Sequence, residues 1–175
     1  MHAALQWIKR PKPAALLLVL LSVGTYAPSL RIPLLEDDYP NISQAQVYGS
    51  PSGLATLFED PVYRLRATSY WALFALWRIA GLNAPVFHIA SLALHMANVW
   101  LLYRVAVAWS PMTAAAIWAA AFFTAQEGHQ EAIMWFSAIN ELLMFFFGMA
   151  ALLCWMKATT DRRPYWQPAG ILLFA

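Results

Sequence analysis

The sequence predicts an all-α, polytopic transmembrane protein of about four spans, with the start of a fifth and an interfacial helix in its first outer loop. The chain has 175 residues, of which 61% are apolar or aromatic and 11% are charged. In soluble domains about 45–50% of the residues are apolar and about 25% are charged. Nine Trp, seven Tyr and ten Phe suit aromatic belts at the two membrane interfaces. Long stretches carry no charge, and a membrane-spanning helix needs about 20 such residues. This composition excludes a typical soluble enzyme, a disordered tail and a basic nucleic-acid-binding domain, and it makes membrane lipid an expected partner.

The first element is a basic cytoplasmic amino terminus, residues 1–13, followed by a span over residues 14–30. The apolar run PAALLLVLLSVGTYAPSL follows Lys9, Arg10 and Lys12, and an excess of basic charge marks the cytoplasmic side. The alternative is a cleaved signal peptide, which has a similar charged start and apolar core. Because no clean A-x-A site follows the apolar core, we interpret the segment as a retained span with the amino terminus inside.

A large outer loop, residues 31–83, follows the first span. Its stretch 39–58 is rich in Pro, Gly, Ser, Asn and Gln, which predicts a loop with short helical pieces. The segment 64–82 is apolar between Arg66 and Arg78, but the 11 residues between these two are too few to cross a bilayer. We therefore predict a helix that lies in the interface, with its Arg heads in the headgroup layer.

The sidedness of the later basic residues supports a flat segment 64–82. If this segment crossed the membrane, the basic residues that follow it would all lie outside, against the positive-inside bias. If it lies flat, four of them lie inside with the amino terminus: Arg104, Lys157, Arg162 and Arg163.

Residues 84–157 hold the predicted spans two to four, with an outer loop over residues 126–140. The second span is the charge-free run before Arg104, the third ends at Gln126, and the fourth begins at Glu141. Each is predominantly apolar, and the second and third are joined by the turn signal Ser-Pro.

The carboxy-terminal part is predicted to be a basic inner loop, residues 158–169, and the start of a truncated fifth helix, residues 170–175. Lys157 and the loop after it read KATTDRRPYWQPA, residues 157–169, and the apolar run GILLFA follows directly. An apolar run at the end of a chain predicts that more of the protein follows.

An acidic pair, Asp37 and Asp38, lies directly after the first span. In this topology eight of the nine acidic residues fall on the outer side: Glu36, Asp37, Asp38, Glu59, Asp60, Glu127, Glu131 and Glu141. Neighbouring carboxylates favour proton uptake by one of them, as a general base requires. Two carboxylates can also hold a divalent cation. The alternative is a solvated acidic loop that only keeps the segment outside.

The second outer loop, QEGHQEAIMWFSAINELL, supplies His129 and Glu131. In a helix Glu127 and Glu131 would share a face, one turn before Trp135. A charge at the end of a span costs about 2.5–3.5 kcal/mol in hydrocarbon, so these side chains are expected to face the interface or an aqueous cavity. We expect the loop to converge with the acidic pair on one cavity. The alternative is a set of interfacial polar anchors without chemistry.

A metal site is not specified by these residues. The His-x-Glu pattern is too common to predict zinc, and Cys154, the one cysteine, lies in a span and cannot form an internal disulfide. A divalent cation is a candidate cofactor, and its candidate ligands are Asp37, Asp38, His129 and Glu131.

Two histidines, His88 and His95, lie seven residues apart on the second span and therefore on one helical face, close to Asn98. Polar groups inside a membrane suggest function, but neutral His and Asn also bond across helices in packing contacts. We assign His95 and Asn98 to packing, and His88, nearer the outer surface, to the rim of the site.

Three stretches, taken in order, resemble the polytopic glycosyltransferases that use lipid-phosphate-linked sugars (the C-type superfamily), especially its protein O-mannosyltransferase-like branch. The first is the acidic pair in LLEDDYPN. The second is GLNAPVFHIASLALHMANVWLLYRV, similar to that branch's Gly-Leu-Asn-Pro, Tyr-His, and later His and Asn. The third is GHQEAIMWFSAINELLMFFFGMAALLCW, similar to its His-x-Glu-Ala, Trp and acidic residue before a Leu-rich span. The resemblance covers residues 14–157.

This resemblance implies transfer of a sugar from a polyprenyl-phosphate donor to a hydroxyl of an acceptor protein or glycan, on the outer face of a bacterial inner membrane. It implies that Asp37 is the base that activates this hydroxyl and that Asp38 is the second carboxylate. His129, Glu131 and Glu141 would then position the acceptor or the phosphate, or ligate a metal.

The resemblance also implies a role for two arginines: Arg64 and Arg66 would pair with the carrier phosphate. The sequence departs from the family pattern at Gln126-Glu127, where His-Pro is expected, and at Ile139-Asn140, where a basic residue is common. The sugar and the acceptor therefore remain open.

The alternative from another functional class is a non-catalytic polytopic membrane protein, such as a transporter or an assembly subunit. A transporter places acidic residues and broken helices at mid-membrane. Here the acidic residues cluster in the predicted outer loops, which favours chemistry at the surface.

Overall fold

The chain is a set of packed α-helices joined by turns and short 3-10 helices. A computed structural model describes residues 11–110, 112–161 and 165–174. This described part is 87% helical and contains no strand, which confirms the all-α class. Helices suit so apolar a chain because each one satisfies its own backbone hydrogen bonds where water is absent. Four basic residues that support the predicted topology lie outside the described residues: Lys9, Arg10, Arg162 and Arg163.

Three helical stretches are long and apolar enough to cross a membrane: Lys12–Arg31, Ala84–Trp109 and Phe136–Thr159. They have 20, 26 and 24 residues, which at 1.5 Å per residue matches a hydrocarbon core of about 30 Å. They coincide with the predicted first, second and fourth spans. Their length and composition are those of a membrane protein.

Helix α5 (Ala84–Trp109) is the central helix, and helix α1 (Pro11–Tyr26) packs on one side of it. Proline stands in the first turn of α5, where its missing N–H costs no hydrogen bond. Helix α5 packs against α1, against α6 (Thr113–Ala125) and against α8 (Ile139–Asp161). Small and branched side chains fill the α1–α5–α6 contact: Ala14, Leu18, Val99, Ala116, Ile117 and Ala120.

Helix α6 is shorter than the predicted third span. The run predicted to hold this span, residues 105–126, is divided at the predicted turn, because α5 continues through Val105 to Trp109 and α6 begins only at Thr113. The 13 residues of α6 reach about 20 Å, less than the thickness of the hydrocarbon core. Only three stretches in the described part meet the length for a span, so the fourth crossing stays a prediction.

The predicted outer loop 31–83 is mostly helical. It contains α2 (Asp38–Tyr48), α3 (Pro51–Glu59) and α4 (Ala67–Ala80). The side chain of Ser50 caps α3 by accepting the Gly53 N–H at 3.0 Å. The helix predicted over residues 64–82 is therefore present, as a 3-10 turn at Arg64–Arg66 followed by α4.

The loop helices pack onto α5 through an apolar core. Helix α4 lies against α2, and the shared core is formed by large side chains: Ile42, Leu57, Tyr70, Leu73, Phe87 and Phe136. Phe87 of α5 and Phe136 meet edge to face, with ring centroids 4.8 Å apart. Because Phe136 lies in the predicted second outer loop, residues 126–140, this core holds both loops against one end of α5.

The last two helices differ from the predicted boundaries. Helix α8 continues to Asp161, and α9 (Trp166–Phe174) begins four residues earlier than the predicted 170–175. The predicted inner loop 158–169 is therefore largely helical at both ends. Helix α9 packs along α8.

Candidate functional site

Asp38 joins the two predicted outer loops. Its side chain is 0% exposed and accepts three hydrogen bonds. The Leu35 N–H donates to Oδ2 at 2.7 Å, and the backbone N–H and hydroxyl of Ser137 donate to Oδ1 at 2.8 and 2.7 Å. A buried carboxylate needs such donors because it has lost its water. Asp38 is thus placed in a packed contact and does not line the neighbouring cavity.

Asn41 extends the contact made by Asp38. Its Nδ2 donates to the Ser137 hydroxyl at 2.9 Å and to the backbone carbonyl of Asp37 at 2.9 Å. Asp38 and Asn41 of α2, together with Asp37 just before it, are therefore held against the 3-10 helix Phe136–Ala138. This fixes the backbone of Asp37 and leaves its side chain exposed.

A cavity of about 410 Å³ lies beside this contact, and we call it the polar cavity. Three predicted site residues line it: Asp37, Arg66 and Glu141. They come from the start of α2, the 3-10 turn before α4 and the first turn of α8. The remaining polar lining includes the amides Asn41, Gln44 and Asn140, and the aromatic lining is Tyr63 and Trp135. The cavity thus combines two carboxylates, one guanidinium, three amides and two aromatic rings.

Three tyrosines stiffen one wall of the polar cavity. The rings of Tyr48, Tyr63 and Tyr70 pack against one another with centroids 5.7–6.0 Å apart. The Tyr70 hydroxyl donates to Gln44 Oε1 at 2.8 Å, and Gln44 Nε2 donates to the Tyr63 hydroxyl at 3.1 Å. Burial raises the pKa of Tyr70 to about 12, so this phenol stays neutral near physiological pH. The wall holds Gln44 and Tyr63 in place.

Asp60 anchors the other end of this tyrosine wall. Its carboxylate accepts the Val62 and Tyr63 N–H groups at 2.8 and 3.1 Å and the Tyr48 hydroxyl at 2.9 Å. These donors favour the charged form and lower the pKa of Asp60 below its ordinary value, the two backbone N–H groups most of all. Asp60 is therefore ionised near neutral pH and fixes the turn that precedes Arg64–Arg66.

A second, apolar space adjoins the polar cavity, and we call it the apolar groove. It measures about 190 Å³ and shares Arg66 and Asn140 with the polar cavity. Its apolar walls are Leu65 and, on α8, Leu143, Met144 and Phe147, and the hydroxyl side chains Thr68 and Ser69 line it next to Arg66. Arg66 and Asn140 therefore stand at a junction between a polar space and an apolar one.

A third space, which we call the open cleft, lies on the other side of Trp135. It measures about 450 Å³ and is lined by Glu127, Glu131 and Trp135, with Leu35 and Met134. The expectation that Asp37 and Glu131 face one cavity is not met, since they line different spaces. The physical reason is local: helix α7 (Gln130–Met134) has only five residues, and extended backbone at Trp135 turns the chain.

His129 lies among aromatic rings. Its ring is half-buried, 4.1 Å from the Phe123 centroid and 6.1 Å from that of His95. Burial lowers the pKa of His129, because it disfavours the imidazolium. His129 lines neither the polar cavity nor the open cleft.

His88 is buried in the helical interior. It is 0% exposed on α5, and neither ring nitrogen has a hydrogen-bond partner. The sequence predicts His88 at the rim of the site. This prediction is wrong, because neighbouring helices cover the face of α5 that carries His88. Arg64 is exposed and does not line the polar cavity, whereas Arg66 does.

The candidate metal ligands do not converge. Within the described residues no group of three or more His, Cys, Asp or Glu side chains is placed to hold a metal ion. Asp37 lines the polar cavity, and Asp38 is buried in the contact with Ser137. His129 lies among aromatic rings, and Glu131 lines the open cleft.

Sequence reasoning missed several residues of the polar cavity: Gln44, Tyr63, Ser137 and Asn140. Gln44 lies in the stretch interpreted as loop, and Asn140 was noted only as a departure from a family pattern. The signal that was present is helical spacing, since Asn41 and Gln44 stand three residues apart on one face of α2.

Comparison with known proteins identifies no relative. No protein-family model, no curated protein and no solved structure matches the chain. The function must therefore be argued from the geometry of these three spaces.

Proposed function

We propose that the chain is part of a membrane glycosyltransferase that moves a sugar from a polyprenyl-phosphate donor to an acceptor hydroxyl. One observation carries the proposal: the polar cavity and the apolar groove meet at Arg66 and Asn140. A lipid-linked sugar has the same three parts in the same order, namely a polar sugar, an anionic phosphate and an apolar tail.

Each part of such a donor has a matching surface. The guanidinium of Arg66 at the junction suits a phosphate, because its fork of N–H donors pairs with two phosphate oxygens. The side chains Leu143, Met144 and Phe147 of the groove suit the first isoprene units. In the polar cavity, Gln44 and Asn140 offer amide hydrogen bonds to sugar hydroxyls.

Asp37 is the proposed base. Its exposed carboxylate lines the polar cavity together with Arg66. In the proposed step it takes the proton of the acceptor hydroxyl while that oxygen forms a bond to the anomeric carbon of the sugar. The bond between the anomeric carbon and the phosphate oxygen breaks, and the electron pair leaves with the lipid phosphate beside Arg66. Asp38 acts as a positioning residue through Ser137 and Leu35.

The proposed topology places this chemistry on the outer side of a bacterial inner membrane. The amino terminus is inside, α6 completes a fourth crossing with its flanking turns, and α4 lies in the interface. Two features of α4 support this: Trp71 and Ile79 are exposed apolar side chains, and Arg78 is exposed near them. An interfacial helix carries such apolar and basic faces. In this position Arg66 would stand at headgroup depth.

The test is sugar transfer by the full-length protein in liposomes that carry polyprenyl-phosphate sugars. Asp37→Asn is expected to lower the rate by about 10²–10⁴-fold, the usual contribution of a general base. Glu36→Gln is the matched control, because Glu36 is the exposed neighbouring acid and does not line the polar cavity. Equal loss in both variants, or undiminished transfer in Asp37→Asn, would refute the assignment of the base.

The phosphate assignment has its own control pair. Arg66→Ala is expected to raise the KM for the lipid donor, and Arg66→Lys to recover part of it, since a single ammonium keeps the charge. Arg78→Ala removes an exposed arginine at the other end of α4 and should leave KM unchanged. If Arg78→Ala raises KM as much as Arg66→Ala, the effect comes from general surface charge and not from the junction.

A further inference from the structure

The buried face of α5 carries a row of polar side chains. His88, Ser91, His95 and Asn98 follow one another at spacings of three, four and three residues, so they share one face of the helix. Each of the four is at most 1% exposed. This row lies within a helix long and apolar enough to cross a membrane, where an unsatisfied polar group is especially costly.

Most polar atoms of this row have no partner in the protein. Both ring nitrogens of His88 and His95 are unpaired, as are Ser91 Oγ and Asn98 Oδ1. Ser29 Oγ is also unpaired, and it lies in the 3-10 helix Ala27–Arg31, which packs on α5. Among the described residues, seven of the eight buried side-chain atoms without a partner therefore belong to α5 or to this neighbour. Such concentration indicates one shared cause.

Other buried hydroxyls show that lack of a partner is not a general property of this interior. Ser22 donates to the Leu18 carbonyl at 2.8 Å, and Thr124 donates to the Ala120 carbonyl at 2.8 Å. One atom of the row is itself satisfied, since Asn98 Nδ2 donates to the Leu142 carbonyl at 2.9 Å. The unpaired atoms are thus a local feature.

Three rings lie near His95, and none of them supplies a hydrogen bond to its ring nitrogens. Tyr26 meets His95 edge to face at 5.1 Å, and Phe123 stacks on it at 5.8 Å. The Tyr26 hydroxyl faces the Gln126 carbonyl at 3.5 Å. His129 is the one further polar ring, at 6.1 Å. A neutral imidazole always has one donor and one acceptor to satisfy, so no tautomer removes the need for a partner.

We propose that ordered water molecules bind along this face of α5, in contact with His88, Ser91 and His95 and with Ser29. Water supplies both a donor and an acceptor, and one molecule needs only about 10–15 Å³ and two to four polar partners. Neighbouring members of the row are about one helical turn apart on the same face, which places their unpaired atoms side by side for water to bridge. The loop residue His129 marks the end at which this water-binding site meets the aqueous phase.

The direct test is water contact measured by solid-state NMR on the full chain, labelled with ¹⁵N and ¹³C, in lipid bilayers. Magnetisation starting on water is expected to reach the ring nitrogens of His88 and His95 at a rate similar to that of half-buried His129. The ring of Phe87 is 0% exposed and adjoins His88, so it serves as the dry reference. If the two histidine rings receive magnetisation as slowly as Phe87, or show contacts to protein carbonyls only, the proposal is overturned.

A pair of serine variants gives a second measurement. Ser91→Ala removes an unpaired hydroxyl of the row and is expected to weaken the water signal at His88 and His95. Ser22→Ala removes a buried hydroxyl that already has a partner, and it should leave that signal unchanged. A Ser91→Ala protein that unfolds at a higher temperature with the same water signal would show that Ser91 was dry, against the proposal.

Discussion

Two regions of the molecule treat buried polar groups in opposite ways. In the loop region, residues 31–83 and 126–140, the buried carboxylate of Asp38 has three donors. In the helical interior, the ring nitrogens of His88 and His95 have no hydrogen-bond partner in the protein. The difference follows from the backbone. Turns and 3-10 helices leave N–H groups free, such as those of Leu35 and Ser137, whereas the middle of an α-helix uses its N–H groups internally.

This comparison explains where a buried charge can be tolerated. A polar side chain in the loop region can be satisfied by nearby main chain, so a carboxylate can be fully buried there. An acceptor atom in the middle of α5 has no free backbone N–H beside it, so it depends on other side chains or on solvent. The following variants test how far this contrast holds.

The largest effect is expected for Asp38→Ala. The change leaves the N–H groups of Leu35 and Ser137 and the Ser137 hydroxyl without their acceptor, and we expect a loss of about 3–5 kcal/mol in the free energy of unfolding. Denaturant unfolding in micelles measures it. Glu36→Ala, at the neighbouring exposed acid, should change this free energy by about 0.5 kcal/mol or less. A small effect at Asp38 would mean that the buried contact does not hold the two loops together.

The next largest loss in the free energy of unfolding is expected for a serine of the loop region, compared with a serine of the helical interior. Ser137→Ala removes a donor to Asp38 and an acceptor of Asn41, with an expected loss of about 1–2 kcal/mol. Ser22→Ala removes a hydroxyl that only bonds a carbonyl of its own helix, so the expected change is within about 0.5 kcal/mol. The same unfolding measurement compares both, and equal losses would contradict the contrast between the regions.

A third effect is the late ionisation of Tyr70 in alkali. Burial raises its pKa to about 12, above the ordinary value of about 10, so its contribution to stability is full below about pH 10. This contribution is lost as the pH rises through about 12. The phenolate absorbance of the wild-type protein should show a late step that is missing in Tyr70→Phe. Tyr39→Phe, at an exposed tyrosine, should leave the late step intact.

The smallest effect concerns Asp60 in acid. Its donors lower its pKa, so its contribution is present above the ordinary value of about 3.9 and disappears as the pH falls through the lower folded value. Wild type should therefore be slightly more stable than Asp60→Asn at neutral pH and equal to it in strong acid. A stability difference that grows as the pH falls would reverse the assigned sign.

The sequence was sufficient for features that depend on chain-local patterns. Apolar length predicted α5 and α8, and Arg spacing predicted the helix after Arg66. These follow from hydrophobicity and backbone geometry over a few neighbouring residues.

The sequence could not separate features that depend on contacts between distant residues. Asp37 and Asp38 are adjacent and chemically alike, yet one is exposed and one is 0% exposed. Their difference arises because α2 starts at Asp38 and Ser137 arrives from the other loop. In the same way, Glu131 is separated from the polar cavity by a turn at Trp135, which no local pattern encodes.

The bond from Ser137 to Asp38 also bears on how the protein is made. The two residues are 99 positions apart, and a ribosome adds about 5–20 residues per second. Asp38 therefore emerges roughly 5–20 s before its partner exists. During that interval α5 and α6 are synthesised while the carboxylate lacks two of its three donors. The segment 31–83 reaches its final packing only afterwards, so it stays accessible to proteases and membrane chaperones during those seconds.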